Sequence, residues 1–457
     1  MTREELFGWC QTRFGARFGT GTSVRELHGR DESGHFPPAL PDAVLWPETA
    51  QEIAELLPRC AGARCPVIPF GAGSSVEGQV LAVEGGIALD MTRMAAILDV
   101  SPGDMIAEVQ AGVTREALND HLRDTGLFFP VDPGANATLG GMASTRASGT
   151  TTIRYGTMRD AVLSVEAVLP DGSILRTGNR ARKSAAGYDL THLLVGSEGT
   201  LAVITALTLR LQPRPEISRS YQVSFPDIAS AVTTVIEALQ CGAQPTRIEL
   251  MDTAQMAACL AESDLDLPIA PSLLIEIAGT DAAVTEEIAV LAEVARANGA
   301  VAEKPCDLPG EAAALWRMRH GAVHASRRSN PGCETLSTDL CVPISKLAEA
   351  IDRTRAWIDA AGLDAHICGH VGDGNFHAMF LCDPAQPGEL QAATEIHDRM
   401  VALSLELGGT CSGEHGIGMG KKRYLRAEHP DTLPAMRAVK RALDPAGIMN
   451  PGKIFDL

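Results

Sequence analysis

From residue 43 to residue 211 the apolar positions fall into short runs broken by glycine-rich turns. The runs CPVIPF (65–70), GIALDM (86–91), MIAEVQAG (105–112), AVLSVEAVLPDGSILRTG (161–178) and GTLAVITALTLRL (199–211), set between Gly-rich turns, predict strands. Asp171-Gly172 between two such runs predicts a hairpin tip. VTREALNDHLRDTG predicts a helix opened by Thr114 as N-cap and stopped by Gly126. LQPRPEISRSY (211–221) closes the pattern with two prolines and marks a domain boundary. Beyond it, RSYQVSF, TRIELM, SLLIEIAG and AVAEK predict strands, with helices over 227–239 and 284–299. That order, β-α-β-β-α-β, is the ferredoxin-like arrangement. Helices near 311–326, 345–360 and 389–407 follow, and the chain as a whole reads as α+β.

At 457 residues the chain is long enough for two or three domains. The net charge of −18, with only short basic stretches (RARK at 180–183, KKR at 421–423), excludes nucleic acid as an expected partner, because phosphate binding needs clustered cations. The 11 cysteines form no C-x-x-C, haem or cluster pattern, which points to reduced thiols. MTREELFGWCQTRFG resembles neither a secretory signal nor a transit peptide, and no run of 18 apolar residues occurs. The expectation is a cytoplasmic protein, with peripheral association at the inner membrane face left open.

Three glycine-rich stretches carry candidate chemistry. VIPFGAGSSVEG (67–78) runs from a strand into a turn whose backbone N–H groups and hydroxyls suit a pyrophosphate, although its spacing is neither G-x-G-x-x-G nor a Walker loop. A plain glycine turn is the alternative. DPGANATLGGMASTRASGTTTIRYGTMRD (132–160) is too long to be idle inside a compact domain. GSEGTLAVIT (196–205) passes directly into a strand.

A fourth stretch, HVGDGNFH (370–377), places histidines on either side of Asp373-Gly374. A two-residue turn there pairs Val371 with Phe376 and sets His370 opposite His377, close enough to share a cation. Two structural histidines beside a turn are the alternative. GGTCSGEHGIG (408–418) adds Glu414 and His415 between glycines, and two imidazoles with one carboxylate are a set used for open metal sites. His366, on the same face four residues earlier, is a lesser candidate.

PFGAGSS, DPGANATLGGM, RYGTMRD and GSEGTLAVIT together resemble the FAD-binding domain of the vanillyl-alcohol-oxidase / p-cresol-methylhydroxylase superfamily. With HVGDGNFH, GEHGIG and NPGKIF (450–455), the chain resembles the FAD-linked D-2-hydroxyacid dehydrogenases over nearly its whole length. The resemblance implies a helical lead-in (1–37), a two-part FAD-binding domain (38–216) and a substrate- and metal-binding domain (217–457) with the ferredoxin-like antiparallel sheet. It implies non-covalent FAD, since Ser74 and Ser75 stand where some members carry a flavin-linked histidine. Flavin contacts would come from Pro69, Phe70, Gly71, Ala72, Gly73, Ser74, Ser75, Pro133, Thr138, Gly141, Ser144, Ser148, Gly149, Glu198, Gly199, Ile204 and Asn450. His370, His377 and Glu414 would bind one divalent metal (Mn, Zn or Fe), and His415 would act as general base. Arg319 would grip the substrate carboxylate, and Asn375 would touch substrate or flavin.

STDLCVPIS (337–345) is similar to the cytochrome-type D-lactate branch: Ser337-Thr338-Asp339 lacks the lysine that hydroxyglutarate enzymes carry just before the aspartate. Val323, where relatives place threonine or an aromatic residue, implies a roomier pocket. The expectation is oxidation of a D-2-hydroxy acid, foremost D-lactate to pyruvate, by hydride transfer to flavin. D-2-hydroxyglutarate and glycolate are the alternatives within the family. No haem or cluster motif is present, so electrons go to an external acceptor: a cytochrome, a quinone or an electron-transfer flavoprotein. A flavin-free metallohydrolase and a non-catalytic flavin-binding subunit are the rival classes, and a homodimer is left open.

Overall fold

The structure, a computed structural model, describes residues 1–33, 36–181, 183–306 and 308–457, so Arg182 of the RARK stretch lies outside the described residues. The backbone gathers into two units. The first comprises Met1–Ser148, Gly156–Arg214 and Glu414–Leu457, and the second Gly149–Tyr155 and Pro215–Gly413.

In the first unit the short apolar runs pair into two main sheets. Ala43–Leu45, Ile87–Asp90 and Val67–Phe70 lie parallel, with helix Ala50–Ala63 as the crossover. Thr49 caps that helix by accepting from the Glu52 N–H, and its buried face carries Ile53, Leu56 and Leu57. The second sheet is antiparallel, in the order Ile97–Ser101, Ile106–Gln110, Val203–Arg210, Val162–Val168, Ile174–Arg176. Its last pair is the hairpin read from Asp171-Gly172. One apolar core running from Leu6 to Met449 serves this unit.

The units group the chain differently from the expected domains. Residues 1–37 group with the first unit: helix Arg3–Phe14, with a Thr2 capping box, buries Leu6, Cys10 and Phe14 in its core. Residues 414–457, expected with the second domain, group with the first unit. Ile448 and Met449 are buried in the first unit, where Val67 bridges Met449, so the chain returns there at Glu414. Burying two large side chains beside the parallel strands is worth a few kcal/mol, which the local pattern of NPGKIF does not reveal.

The second unit holds a long antiparallel sheet, ordered Ala302–Cys306, Ile217–Ser224, Ser272–Gly279, Arg247–Met251, Asp364–Gly369, Asn375–Cys382, Glu334–Ser337. Its first four strands follow the ferredoxin-like order, joined by helices Ile228–Gln240 and Asp281–Ala297. The other three strands extend this sheet past Arg247–Met251 and carry the histidine hairpin at its end. Among the described residues no helix is long and apolar enough to cross a membrane.

Candidate active site

In the first unit, strand Val67–Phe70 opens into Gly71-Ala72-Gly73-Ser74-Ser75. A Cβ at Gly71 would lie 2.3 Å from Thr138 Oγ1, so the loop and the 133–149 segment approach as closely as backbone permits. Pro69 packs against Gly199, and Asn450 Nδ2 donates to the Glu198 carbonyl (2.7 Å) and the Gln79 carbonyl (3.0 Å). Two buried atoms of this cradle, Ser75 Oγ and Asn450 Oδ1, have no hydrogen-bond partner among the described residues. Buried polar groups without partners cost about 1–3 kcal/mol each, which a polar cofactor would recover. Bare glycine backbone plus unpartnered hydroxyl and amide oxygen fit a phosphate-bearing flavin. The structure thus brings together Pro69, Gly71, Thr138, Gly199 and Asn450 of the expected contacts; Phe70 lines the same loop, with Gly73 against its ring. Thr138 Oγ1 also accepts from Gly141 N–H, and Ser144 Oγ donates to the Gly140 carbonyl. Pro133 lies half-buried in the loop ahead of Thr138, and Ile204 is buried in strand Val203–Arg210.

Two expected flavin contacts have other partners. Ser148 Oγ donates to Glu414 Oε2 at 3.2 Å, which ties the serine to the GEHGIG loop. Gly149 belongs to the second unit, its N–H donating to Thr152 Oγ1.

Glu198, whose carbonyl belongs to the cradle, turns its side chain elsewhere. Its fully buried carboxylate accepts from Ile417 N–H (2.7 Å) and Gly418 N–H (2.8 Å), so the side chain anchors the loop that carries His415. Burial pushes its pKa up to about 7, against the pull of those two N–H donors. A folded-state value above the unfolded 4.5 means that the fold gains most below about pH 4.5 and loses that gain as pH rises through about 7. The difference amounts to about 3 kcal/mol at 1.36 kcal/mol per pKa unit. A Glu198→Gln variant is therefore expected to have unfolding free energy less dependent on pH in this window, as read by urea titrations at successive pH values. Parallel pH profiles in the two proteins would refute this.

The second unit places the histidine hairpin differently from expectation. The strands end at Gly369 and restart at Asn375, with Cys368, not His370, opposite His377. The His370 carbonyl accepts from both Asp373 and Asn375 N–H groups, so a five-residue turn replaces the two-residue one. The register has moved by two residues, which preserves the face on which side chains point. The rings of His370 and His377 accordingly still meet, with centroids 5.6 Å apart and nearly perpendicular.

Each imidazole is held by its Nδ1. His377 Nδ1 lies 3.0 Å from the Thr338 carbonyl, an acceptor only, and His370 Nδ1 lies 2.7 Å from Glu249 Oε1. With Nδ1 so directed, each ring in its neutral form carries its proton there and its lone pair on Nε2, the tautomer that a metal-ligating histidine takes. A divalent cation therefore fits this pair. His366 does not join it: its Nδ1 bonds Ser326 Oγ at 2.7 Å inside the unit. Asn375 Nδ2 donates to Asp339 Oδ1 and to the Leu340 carbonyl (both 2.8 Å), leaving its buried Oδ1 without a hydrogen-bond partner among the described residues. Val323 is exposed.

Glu249 escaped the sequence reading. In TRIELM it looks like an ordinary strand residue, yet it is fully buried and accepts from Arg319 Nε (3.0 Å) and Nη2 (2.6 Å) as well as facing His370. Burial pushes its pKa up, but His370 and Arg319 outweigh that and hold it below the usual carboxylate range. Arg319, expected to hold substrate with its whole fork, thus has two of its nitrogens on Glu249, and its orientation is set by that pair. The available signal was a carboxylate at an inward position of an apolar strand.

Residues 41–178 match the FAD binding domain family, and residues 214–454 match the family described as FAD linked oxidases, C-terminal domain. The chain is 44% identical over 441 residues to a probable mitochondrial D-lactate dehydrogenase of Danio rerio, covering 96% of this chain and 88% of that protein. It is 39% identical to the mitochondrial D-lactate dehydrogenase [cytochrome] of Arabidopsis thaliana, over 99% of this chain and 80% of the relative. Among solved structures, p-cresol methylhydroxylase with substrate bound aligns with a TM-score of 0.79 at 16% identity, over 99% of this chain and 97% of that one, a likeness of fold.

Proposed function

The chain belongs to the FAD-linked oxidase family, and from that premise we propose that it oxidises D-lactate to pyruvate and passes the electrons to an external acceptor. The observation that carries the choice of substrate is Thr338. Where the resemblance implies a lysine for the second carboxylate of hydroxyglutarate enzymes, this chain has a fully buried threonine whose Oγ1 accepts the Ala378 N–H. A dicarboxylate placed there would leave a charge buried and unpaired, at several kcal/mol.

When bound, the flavin supplies the hydride acceptor, and a divalent cation supplies the Lewis acid that lowers the pKa of the 2-hydroxyl. The chain's own residues do the rest. Arg319, oriented by Glu249, binds the substrate carboxylate. His370 and His377, with Glu414, would hold the cation. Asn375 Oδ1 offers a hydrogen-bond acceptor to the substrate. His415 takes the hydroxyl proton as the α-hydrogen departs. The acceptor is a cytochrome, a quinone or an electron-transfer flavoprotein, and the location is cytoplasmic, peripheral at the inner membrane face where the acceptor is a quinone.

The test is an anaerobic screen of flavin bleaching over D- and L-2-hydroxy acids, with and without chelator. Bleaching by D-lactate that chelator suppresses is expected; a protein without flavin absorbance, or one bleached only by D-2-hydroxyglutarate, would sink the reading. A His370→Ala, His377→Ala double variant is expected to lose its metal and keep its flavin, measured by elemental analysis beside the visible spectrum.

A further inference from the structure

We propose, on the reading of the 71–75 loop as the phosphate cradle, that His28 is an imidazolium anchoring the chain segment against that loop, so that its charge governs flavin retention. His28 ends helix Thr22–Leu27 and is only 6% exposed. Its Nδ1 lies 2.8 Å from the Val24 carbonyl and its Nε2 lies 2.9 Å from Asp90 Oδ2. A carbonyl only accepts. The Asp90 carboxylate accepts as well, since Trp46 Nε1 donates to the same Oδ2 (2.8 Å) and Thr92 N–H to Oδ1 (2.9 Å). With an acceptor before each nitrogen, the ring satisfies both only when it carries two protons. A neutral ring would turn one lone pair towards an oxygen inside the protein.

The pair reaches the loop by two routes. Asp90 stands in register with Phe70, and the His28 ring packs on the Phe70 ring with centroids 4.5 Å apart. Gly73 folds against that same ring, where a Cβ would lie 2.9 Å from Phe70 Cζ. A few residues after His28, the Glu32 N–H donates to the Ser75 carbonyl (2.9 Å), and Asp31 Oδ2 accepts the Gly78 N–H (2.7 Å). The segment 28–32 thus meets the loop at Ser75 and Gly78, with the His28–Asp90 pair as its anchor on the sheet. Burial pushes the His28 pKa down, but the Asp90 and Val24 bonds and the Asp90 charge outweigh it and hold the value above 6.5. Arg25 of the same helix donates to the Pro41 carbonyl (2.6 Å), and Trp46 and Phe70 face the ring without charge. Among the described residues, Asp90 is the charged group that bears on it. A folded value above the unfolded 6.5 means that the anchor is fully present below pH 6.5 and is lost as pH rises through the folded value.

The direct test is a pH titration of 15N-labelled histidine in the flavin-bound protein. The His28 signals are identified by their loss in His28→Gln and their shift in Asp90→Asn. Both nitrogens are expected to carry protons at pH 6.5, with a midpoint above it; a ring already neutral there overturns the proposal. Flavin retention is read from the fluorescence of released FAD. The parent is expected to bind FAD about ten-fold more weakly once pH has passed that midpoint, the usual contribution of a hydrogen bond to a charged group. His28→Gln is expected to be weaker than the parent by about the same factor at pH 6.5, with little further change as pH rises. An ion pair of purely structural use would not give the parent this pH profile. His28→Gln with the parent's affinity, or a parent whose affinity ignores the midpoint, overturns the proposal. Should His28→Gln fail to fold, Asp90→Asn takes its place, with the same weakening and the same flat profile expected. A parent that binds no FAD removes the reading of the loop itself, whereas a flavin-bound parent beside an equally tight His28→Gln removes only the role of His28.

Discussion

A Glu249→Leu variant is expected to lose about 3–5 kcal/mol of unfolding free energy, the usual cost of removing one partner from a buried charge pair. Glu249 is fully buried, and the Arg319 side chain that it pairs with is only 11% exposed. Without the carboxylate, a guanidinium and an imidazole each lose the acceptor that Glu249 gives them, and leucine supplies none. The same change frees the His370 ring, whose Nδ1 proton is now directed at Glu249 Oε1. Metal affinity is therefore expected to fall about 10–100-fold, as when a partner behind a ligand is removed. Urea unfolding and competitive metal titration read the two effects separately. Stability within about 0.5 kcal/mol of the parent, the range of surface substitutions, would show that Glu249 does not hold this cluster.

The second large effect is on turnover. His415→Ala is expected to cut kcat by about 10²–10⁴-fold, the range that a positioned general base supplies. Flavin should stay bound, because the cradle atoms, from Gly71 to Ser75 and at Asn450, are other residues. The loop should also keep its path. It is anchored by Glu198 through the Ile417 and Gly418 N–H groups and by Gln79 through the His415 carbonyl, none of which needs the imidazole. Stopped-flow flavin reduction with D-lactate separates this loss from any change in reoxidation. A reduction rate equal to the parent's would remove His415 from the chemistry.

Which parts of this site could be read from the chain depends on whether a feature is local. The glycine loop at 71–75, the hairpin tip at Asp171-Gly172, the N-cap at Thr114 and the β-α-β-β-α-β order were legible, because turn chemistry and apolar periodicity act over a few residues. The histidine hairpin was legible in part. The side-chain face of His370 and His377 follows from the period of two, whereas the turn length does not, so the register was misread by two residues without moving either ring to the other face.

The sequence by itself determined the classes of element, the α+β character and the groups able to carry the chemistry: glycine-rich backbone for a phosphate-bearing cofactor, imidazoles and a carboxylate for a cation. Only the tertiary structure decided what each polar group faces. Glu198 anchors a loop 219 residues away, Glu249 lies 70 residues from Arg319 and 121 from His370, and Lys421 meets Glu77 across most of the chain. Such pairings form because a buried charge must find an opposite charge or donor, and the nearest one is set by how strands and loops pack, not by spacing along the chain. The same holds for the return of Ile448 and Met449 to the first unit, where the apolar area buried against the parallel strands outweighs sequence proximity to the second.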